Sequence, residues 1–598
     1  MNDDFVDTTF SKAYLDWILK QNISYRSASS EDTRRMFTLV RPGIEKAMYT
    51  SHGSLSRLVV SAYKNRQLEI KDRLLIAKSR ITVSCDVWTS TNHLSLLGIV
   101  AHFIDDKDRR QSTLIGLPRL FGSHDGENLA ETLYNVINKY EFGYKIGCFM
   151  MDNAYNNDTM MDHLCRKIPT LQRQARLRCA GHIFNLIVKA ILYGKEVTEF
   201  ERKILGCSDR EHFNLWRRFG AIGKVHNFVK WACRSNQRRE EFGSYQPIAA
   251  AQDELFDWTE KMLIKDGGVR WNSTYLMLKR AKLHRRAIEL FQKDHNELED
   301  DEDSGYSVRE DRLTKDDWEE IDRFLVILEP ITFATKYLEG NPGVSEFGSL
   351  WAIFPALNML SEQLDLAINN TKDEPESYFK SGILMGKQKL DQYWDKVTTE
   401  TPFYFAATVL HPSLKQAYFQ DKWRKYPEWQ KRAKMQTEKI YEEYVADAHM
   451  EEEVDVREEV WLVAPLNDHL TTHKNFLRAH LQVDEQYSSH GRSNKRQRIE
   501  SELNKYIDDG LVDLDTIGDD PLPWWLEQAR SSKNSYPTLT RMAFDLFSIP
   551  AMSAECERVF SQAGKVVTDE RNRLDAATIE ANECQRAWLL RDLVSSEL

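Results

Sequence analysis

Two glutamates near the end of the chain, Glu555 and Glu557, lie on either side of one apolar helix face. Pro550 ends the preceding segment, Ser553 can cap a new helix, and apolar residues then recur at helical spacing. The apolar face consists of Cys556, Val559, Phe560 and Ala563. At about 100° per residue, only one of the two glutamates can point into a given pocket. A glutamate at the edge of a helix is usually a solvent-exposed residue, so chemistry here requires partners elsewhere in the chain.

The candidate partners are two aspartates, Asp86 and Asp152, within a region whose residue pattern alternates between strand and helix. Runs of β-branched and apolar residues separated by short polar turns predict three successive strands, followed by helices that alternate with two more strands. The predicted order is βββαβαβ. The predicted strands are 81–90, 94–104, 111–120, 146–152 and 177–180, with helices at 129–140 and 159–168.

This order is the ribonuclease-H-like arrangement, in which the first and fourth strands are neighbours. Asp86 lies on the first strand and Asp152 ends the fourth, so their carboxylates would face each other. Two such groups repel unless a cation lies between them, and oxygen ligands suit Mg²⁺ or Mn²⁺. Two such ions about 3.5–4 Å apart can drive phosphodiester chemistry, with a later carboxylate completing the site. Taken singly, each aspartate has an ordinary alternative role as a turn or cap residue.

Composition narrows the classes of function. The 598 residues carry 81 Lys and Arg against 92 Asp and Glu, a net charge of −11, so any DNA contact must come from a local basic patch. The 8 cysteines include no C-x-x-C pair, which favours reduced thiols and excludes a two-Cys, two-His zinc finger. No signal peptide or membrane span, P-loop, G-x-G-x-x-G motif or serine nucleophile elbow is recognisable, and we expect no small-molecule cofactor.

The pattern predicts an α/β chain of four parts. Residues 1–78 form a helical accessory unit, and 79–193 form the first part of the ribonuclease-H-like core. Residues 194–535 form a large, mainly helical insertion with acidic and polar loops at 297–305, 451–459 and 486–498. Residues 536–598 complete the core. The basic cluster at 495–498 is either a nuclear-import signal or an exposed solubilising loop.

Short motifs that run in one order along the chain resemble the hAT superfamily of DNA transposases. They are Cys85-Asp-Val-Trp-Thr-Ser90, His124-x-Gly-Glu-Asn128, Asp152-Asn-Ala-x-Asn156, Cys179-x-x-His182-x-x-Asn185-Leu186, Arg270-Trp-Asn-Ser-Thr274, Asp520-Pro-Leu-x-Trp-Trp525, Tyr536-Pro537 and the stretch 553–561 with Glu557-Arg-x-Phe-Ser561. The resemblance covers about residues 80–598.

The resemblance implies a catalytic set of Asp86, Asp152 and Glu557, with Glu557 favoured over Glu555. These carboxylates would bind two Mg²⁺ or Mn²⁺ ions. The protein would then cleave double-stranded DNA at the transposon ends and transfer it to a target DNA. The resemblance implies that this reaction takes place in the nucleus. Many relatives begin with a BED zinc finger, and no such Cys and His set precedes Cys85. A catalytically silent, domesticated dimer that binds DNA and regulates chromatin is therefore the alternative.

Candidate DNA contacts come from two sources. The resemblance implies that the DNA contacts include Arg270, Trp271, Cys179, His182 and Arg558. The Trp271 indole would stack against an extruded base. The alternative is that Trp271 is a core residue. Residues 201–240 carry ten basic against four acidic side chains, interleaved with aromatics. The alternative for this segment is an amphipathic helix pair with a basic outer face. Its candidate phosphate contacts are Arg217, Arg218 and Lys224.

The resemblance also implies that the C-terminal region mediates self-association into a homodimer or larger assembly. The predicted dimerisation residues are Phe544, Leu546, Val559, Phe560, Leu574, Trp588 and Leu589.

Overall fold

A computed structural model describes most of the chain. The described residues are 3–49, 51–90, 94–194, 197–204, 206–252, 262–267, 271–295, 306–340, 350–452, 501–566 and 574–594. Several predicted features lie outside these residues: the loops 297–305 and 486–498, the basic cluster 495–498 and Arg270. Most of the predicted loop 451–459 also lies outside them.

The chain begins with four helices, and short polar residues cap several of them. Ser30 and Ser51 each accept a hydrogen bond from a backbone N–H in the first turn of the helix that follows. The helices are α1 (Asp3–Lys20), α2 (Tyr25–Ala28), α3 (Glu31–Val40) and α4 (His52–Ile76).

A five-stranded mixed sheet follows, in the spatial order β3-β2-β1-β4-β5. The first three strands form an antiparallel meander, and β4 and β5 extend the sheet in parallel from β1. The strands are β1 (Ile81–Thr89), β2 (Ser95–Ile104), β3 (Arg110–Gly116), β4 (Ile146–Met151) and β5 (Arg176–Arg178). Between and after them lie α5 (Gly126–Tyr140), α6 (Tyr155–Lys167) and α7 (Ala180–Tyr193). The predicted βββαβαβ order is confirmed, and so is the α/β fold class.

Helices make up almost all of the rest of the described chain, as the helical spacing predicted. They are α8 (Val197–Ile204), α9 (Asp209–Arg217), α10 (Gly220–Ala232), α11 (Asn236–Gln252), α12 (Trp271–Leu283), α13 (Arg285–Asp294), α14 (Lys315–Glu339), α15 (Ile353–Asn370), α16 (Tyr378–Thr399), α17 (Phe403–Val409), α18 (Lys415–Lys422), α19 (Pro427–Glu452), α20 (Glu502–Asp508), α21 (Leu514–Ile517), α22 (Leu522–Arg530), α23 (Pro537–Ser548), α24 (Ala554–Val566) and α25 (Ala576–Leu590).

The chain divides into two compact units whose limits differ from the predicted boundaries. One unit comprises Met1–Gly181, Leu338–Pro355 and Val397–Leu598 and contains the sheet. The other comprises His182–Tyr337 and Ala356–Lys396 and is helical.

Buried contacts explain why the first 78 residues and the segment after residue 397 belong with the sheet. At the N-terminal end, Tyr63 on α4 stacks on Trp588 of α25, with ring centroids 5.4 Å apart. In the later segment, the Tyr404 hydroxyl accepts the Arg178 backbone N–H at 2.8 Å. Segments far apart in sequence therefore share one core with the sheet.

Two expectations about the chain as a whole can be compared with the structure. All eight cysteines are free, as their scattered spacing predicted. Among the described helices, none combines the length and apolar composition needed to cross a membrane.

The burial of Glu583 on α25 generates a prediction about stability. Burial raises the pKa of this carboxyl from 4.5 to about 7, although Arg586 partly opposes the shift. A folded-state pKa above the unfolded value means that wild-type stability is lost as pH rises from the unfolded value through the folded one. Relative to Glu583→Gln, the wild type should therefore lose about 2–3 kcal/mol between about pH 5 and pH 8.5, measured by urea unfolding.

The control for this measurement is Glu428→Gln, which neutralises an exposed carboxylate on α19. Its stability difference from the wild type should stay nearly constant with pH. A similarly constant difference for Glu583→Gln would show that Glu583 is not held in a desolvated environment.

Candidate active site

Strand register brings the two predicted aspartates together. The parallel pair β1 and β4 aligns Ser84 with Met150, and both Asp86 and Asp152 lie two residues further along. Asp86 is half-buried on β1, and Asp152 is the first residue after β4. Burial, with additional repulsion from Asp152 and Glu557, raises the pKa of Asp86 to about 6 despite a backbone hydrogen bond that lowers it. The three carboxylates are therefore electrostatic neighbours, although they come from separate parts of the sequence.

One oxygen of each aspartate is fixed by local hydrogen bonds. Asp86 Oδ1 accepts the Val87 backbone N–H at 2.8 Å. Asp152 Oδ1 accepts the Ala154 backbone N–H at 2.9 Å and the Asn157 amide at 2.5 Å. These bonds orient both carboxylates and leave the second oxygen of each available for a ligand.

Close packing of α24 against β1 and β2 positions the third carboxylate. Phe560 stacks on Trp88, with ring centroids 5.9 Å apart and an interplanar angle of 13°. The Cys556 thiol lies 3.9 Å from the Gly98 carbonyl oxygen. A Cβ at Gly98 would lie 2.7 Å from the Phe560 ring, so the absence of a side chain there permits this approach. The predicted apolar face of α24 is confirmed: Cys556 and Phe560 are buried, as is Ala563.

Glu555 and Glu557 differ in their surroundings. Glu555 forms ion pairs with Arg558 and, at 3.3 Å, with Arg591. Glu557 is exposed, and its charge acts on Asp86. The two glutamates therefore differ in their partners, and the choice of Glu557 over Glu555 remains a prediction.

The Cys179 thiol, between β5 and α7, contacts the turn that leads into α24. Its sulfur accepts the Ser553 backbone N–H at 3.4 Å, and the Ala180 N–H donates to the Ala551 carbonyl at 3.0 Å. Cys179 is buried, so its observed role is to hold this turn and not to offer a surface to DNA. His182 is half-buried on α7 and belongs to the helical unit.

Two arginines of β5 that sequence reasoning missed lie beside Asp152. Arg176 donates to the Asp152 carbonyl at 3.0 Å and pairs with Asp158 at 2.9 Å. Arg178 donates to the Asn153 side chain at 3.2 Å. Both are almost completely buried. The signal for them was an Arg-x-Arg alternation on a short strand next to a predicted catalytic residue.

Two of the three predicted phosphate contacts in the basic segment 201–240 form ion pairs within the chain. Arg217 makes a bidentate ion pair with Asp311 at 3.0 and 2.8 Å, and Lys224 contacts Asp317 at 2.7 Å. Only Arg218 of the three predicted contacts is exposed. The interleaved aromatic residues are buried, which supports the alternative of amphipathic helices. These residues are Phe213, Trp216, Phe219, Phe228 and Trp231.

The other predicted DNA contacts have mixed outcomes. Arg558 is occupied within the chain: besides Glu555, it donates to the backbone carbonyls of Glu339 and Gly340 at 3.2 and 3.1 Å. Trp271 begins α12, but its side chain lies outside the described part of the structure. The prediction for Trp271 and Arg270 therefore remains a prediction.

The residues predicted to mediate dimerisation pack inside their own chain. Leu546, Trp588 and Leu589 are completely or almost completely buried, and the Trp588 indole N–H donates to the Leu114 carbonyl at 2.7 Å. The others are also buried or packed against the same core: Phe544, Val559, Phe560 and Leu574. A dimer contact would need other residues of this region, because these side chains are already covered.

The carboxylate set suits a hard divalent cation in its chemistry. The second oxygens of Asp86 and Asp152 are oxygen donors of the kind that such an ion prefers. The charge of Glu557 adds to the repulsion on Asp86, which a bound cation would relieve. Among the described residues, no three His, Cys, Asp or Glu side chains already converge on one point. The site therefore offers an open pair of aspartates with a third carboxylate nearby.

Three family models match successive parts of this arrangement. The ZBED1 RNase-like domain matches residues 84–183, the ZBED1 RNase-like helical domain matches 177–325, and the hAT family C-terminal dimerisation region matches 502–589. The chain therefore carries the hAT family C-terminal dimerisation region together with the RNase-like domains. Its sheet corresponds to the RNase-like domain, and α20 to α25 lie within the dimerisation region, which supports self-association.

Curated hAT relatives are of several kinds. The chain is 23% identical to "Putative transcriptional regulator tpeD" of Talaromyces stipitatus, over 87% of this chain and 55% of that protein. It is 23% identical to "Putative AC9 transposase" of Zea mays, over 89% and 60%. It is 24% identical to "Zinc finger BED domain-containing protein DAYSLEEPER" of Arabidopsis thaliana, over 90% and 68%. The chain thus spans a little more than half the length of the first two.

The close approach of α24 to Gly98 generates a prediction. Gly98→Ala should displace the Phe560 ring and destabilise the protein by about 1–3 kcal/mol, the usual cost of an extra methyl group in a packed core. Thermal or urea unfolding measures this effect.

A second glycine provides the matched control. Gly53→Ala adds the same methyl group in the first turn of α4, where no atom lies within 4 Å, and should leave stability unchanged or slightly higher. If Gly98→Ala were as stable as Gly53→Ala, α24 would not be held at β2 in the way described.

Proposed function

We propose that this hAT chain is a divalent-metal-dependent DNA transposase that cleaves DNA at transposon ends and transfers the cut strand. The observation that carries the proposal is the register of β1 with β4, which places Asp86 and Asp152 side by side, with Glu557 close enough to contribute to the raised pKa of Asp86. A binding protein gains nothing from three carboxylates that repel one another, whereas a metal-dependent nuclease needs them.

Asp86 and Asp152 would hold Mg²⁺ or Mn²⁺ ions through their second carboxylate oxygens, with Glu557 as the third ligand. When bound, two such ions activate the attacking hydroxyl and stabilise the leaving oxygen of the phosphodiester. The hydrogen bonds of Val87 and Asn157 fix the aspartate oxygens before substrate arrives. Pre-oriented carboxylates lose little additional freedom in the transition state.

Other residues of the chain would keep the helix that carries Glu557 in place. The Trp88 and Phe560 rings fix the sheet-facing side of α24. Arg558 and Arg591 form ion pairs with Glu555 and so help to hold the first turn of α24. Arg176 holds the Asp152 carbonyl from β5 and contributes positive charge beneath the acidic pair.

The proposed partners are double-stranded DNA and further copies of this chain, and the proposed location is the nucleus. One relative is named as a putative transposase, and residues 502–589 match a dimerisation region. Arg217, Lys224 and Arg558 form ion pairs within the chain, so they are less suitable as phosphate contacts. Arg218, Arg270 and Trp271 remain the proposed contacts.

A domesticated hAT protein that binds DNA without cutting it is the second candidate. Two observations favour it: the relatives include one named as a transcriptional regulator, and no three ligating side chains converge in the described residues. In this reading the carboxylates would be remnants of an ancestral site.

Cleavage of a labelled duplex separates the two candidates. The substrate carries the terminal inverted repeats that flank the gene, with Mg²⁺ or Mn²⁺ present, and supercoiled plasmid provides a second, sequence-independent substrate. We expect metal-dependent nicking or hairpin formation by the wild type. Asp152→Asn and Glu557→Gln should reduce the rate by at least about a thousandfold, because each removes a metal ligand.

Glu428→Gln serves as the control, since this exposed glutamate on α19 forms its ion pair with Lys431 among the described residues and should leave the rate unchanged. A wild-type protein that binds the repeats but cuts neither substrate with Mn²⁺ would contradict the transposase and support the domesticated protein.

A further inference from the structure

Two large aromatic side chains near the candidate active site are mostly exposed to solvent. Phe121, in the loop between β3 and α5, is 69% exposed, and Tyr155, the first residue of α6, is 77% exposed. A single exposed aromatic residue needs no explanation on a protein surface. These two, however, lie on loops that are joined to each other and to the strand ends that carry Asp86 and Asp152.

The turn that holds Asp152 also fixes the position of Tyr155. Asp152 Oδ1 accepts the Ala154 backbone N–H at 2.9 Å, and Tyr155 is the next residue. The Asn157 amide donates to the same oxygen at 2.5 Å, so hydrogen bonds close this turn on both sides of Tyr155. The backbone of Tyr155 is therefore anchored three residues after a candidate metal ligand.

The loop that carries Phe121 begins at the same end of the sheet. The Leu120 backbone N–H donates at 2.8 Å to the carbonyl of Ser95, the first residue of β2. Ser95 pairs with Thr89, the last residue of β1. Because β1 and β4 run parallel, this is also the end of the sheet at which Asp152 lies.

Hydrogen bonds join the two loops and hold them in place. The Asn156 amide, next to Tyr155, donates to the His124 carbonyl at 2.7 Å. The Asn128 amide donates to the Phe121 carbonyl at 2.7 Å. The two exposed rings therefore project from backbone that is ordered before any ligand arrives, which lowers the entropic cost of binding.

The charges around the rings indicate which part of a DNA molecule they fit. The Arg119 guanidinium is exposed and lies over the Phe121 ring, 4.7 Å from its centroid. The same loop also carries two exposed carboxylates, Asp125 and Glu127. One cation beside two carboxylates is too little positive charge to follow a duplex backbone, whereas aromatic faces stack on bases without needing charge.

We propose that Phe121 and Tyr155 form a stacking surface for unpaired bases of the DNA strand next to the candidate active site, with Arg119 on a neighbouring phosphate. The inference rests on the proposed function, because it needs a DNA strand at Asp86 and Asp152. Bases inside a duplex are already stacked on one another, so only an opened strand offers its base faces to the two rings.

Binding of a short labelled oligothymidylate to the full chain tests this surface. EDTA removes divalent metal, so that no strand is cut during the measurement. Tyr155→Ala and Phe121→Ala should each weaken binding by about 5–100-fold, the usual loss for one base stacked on an aromatic ring. Tyr155→Phe keeps the ring and should retain the wild-type affinity. Arg119→Gln should lower the slope of log affinity against log salt by about 0.7, as expected for one lost phosphate contact.

Tyr144→Ala is the matched control for the loss of an exposed ring. Tyr144 is 70% exposed and precedes β4, so it lies at the opposite end of that strand from Asp152. This variant should bind the oligonucleotide as the wild type does. A blunt duplex should bind the wild type and the aromatic variants with affinities that differ by less than about twofold, because its bases offer no free face.

Because both rings are exposed, their variants should remain folded, and circular dichroism checks this. No binding of the oligonucleotide by the wild type, unchanged affinity in both alanine variants, or an equal loss for the duplex would overturn the proposal. A wild type that shows the expected losses but never cuts DNA would support this surface and contradict only the transposase. A wild type that cuts DNA while the alanine variants keep full oligonucleotide affinity would contradict only this surface.

Discussion

The unfavourable environment of the Asp86 carboxylate, which is desolvated and lies level with Asp152 beside the neighbouring strand, is the constraint on which the candidate site depends. Repulsion and burial together disfavour the ionised form of Asp86, and the fold must supply compensating packing. That packing comes from the register of β1 with β4 and from α24, whose buried face lies on β1 and β2. The fold therefore gives up stability at Asp86, as functional sites commonly do.

The residue pattern alone was sufficient to predict the part of the candidate site that lies on the sheet. The strands alternate clearly and the meander is joined by short turns, so the neighbouring positions of Asp86 and Asp152 followed from strand order. The choice of Glu557 over Glu555 required the family motif, because helical geometry places both at the edges of the same face. The structure gives the physical difference, since two arginines occupy Glu555.

What the sequence could not reveal were partners that lie far away along the chain. Arg217 and Lys224 looked free because Asp311 and Asp317 are about 90 residues later. Alternation of basic and aromatic residues is also what an amphipathic helix pair produces when its aromatics form the core. Trp588 could have served either a dimer or the core, and its hydrogen bond to the Leu114 carbonyl decides for the core.

The most direct test of the shared carboxylate site is calorimetric titration of the metal-free protein with Mn²⁺ near neutral pH. The account predicts binding by the wild type and a loss of at least about tenfold in affinity for both Asp152→Asn and Glu557→Gln. The neighbouring variant Glu555→Gln should retain the wild-type affinity. Equal Mn²⁺ affinity in all of these proteins, or no binding by the wild type, would contradict the claim that the three carboxylates form one metal site.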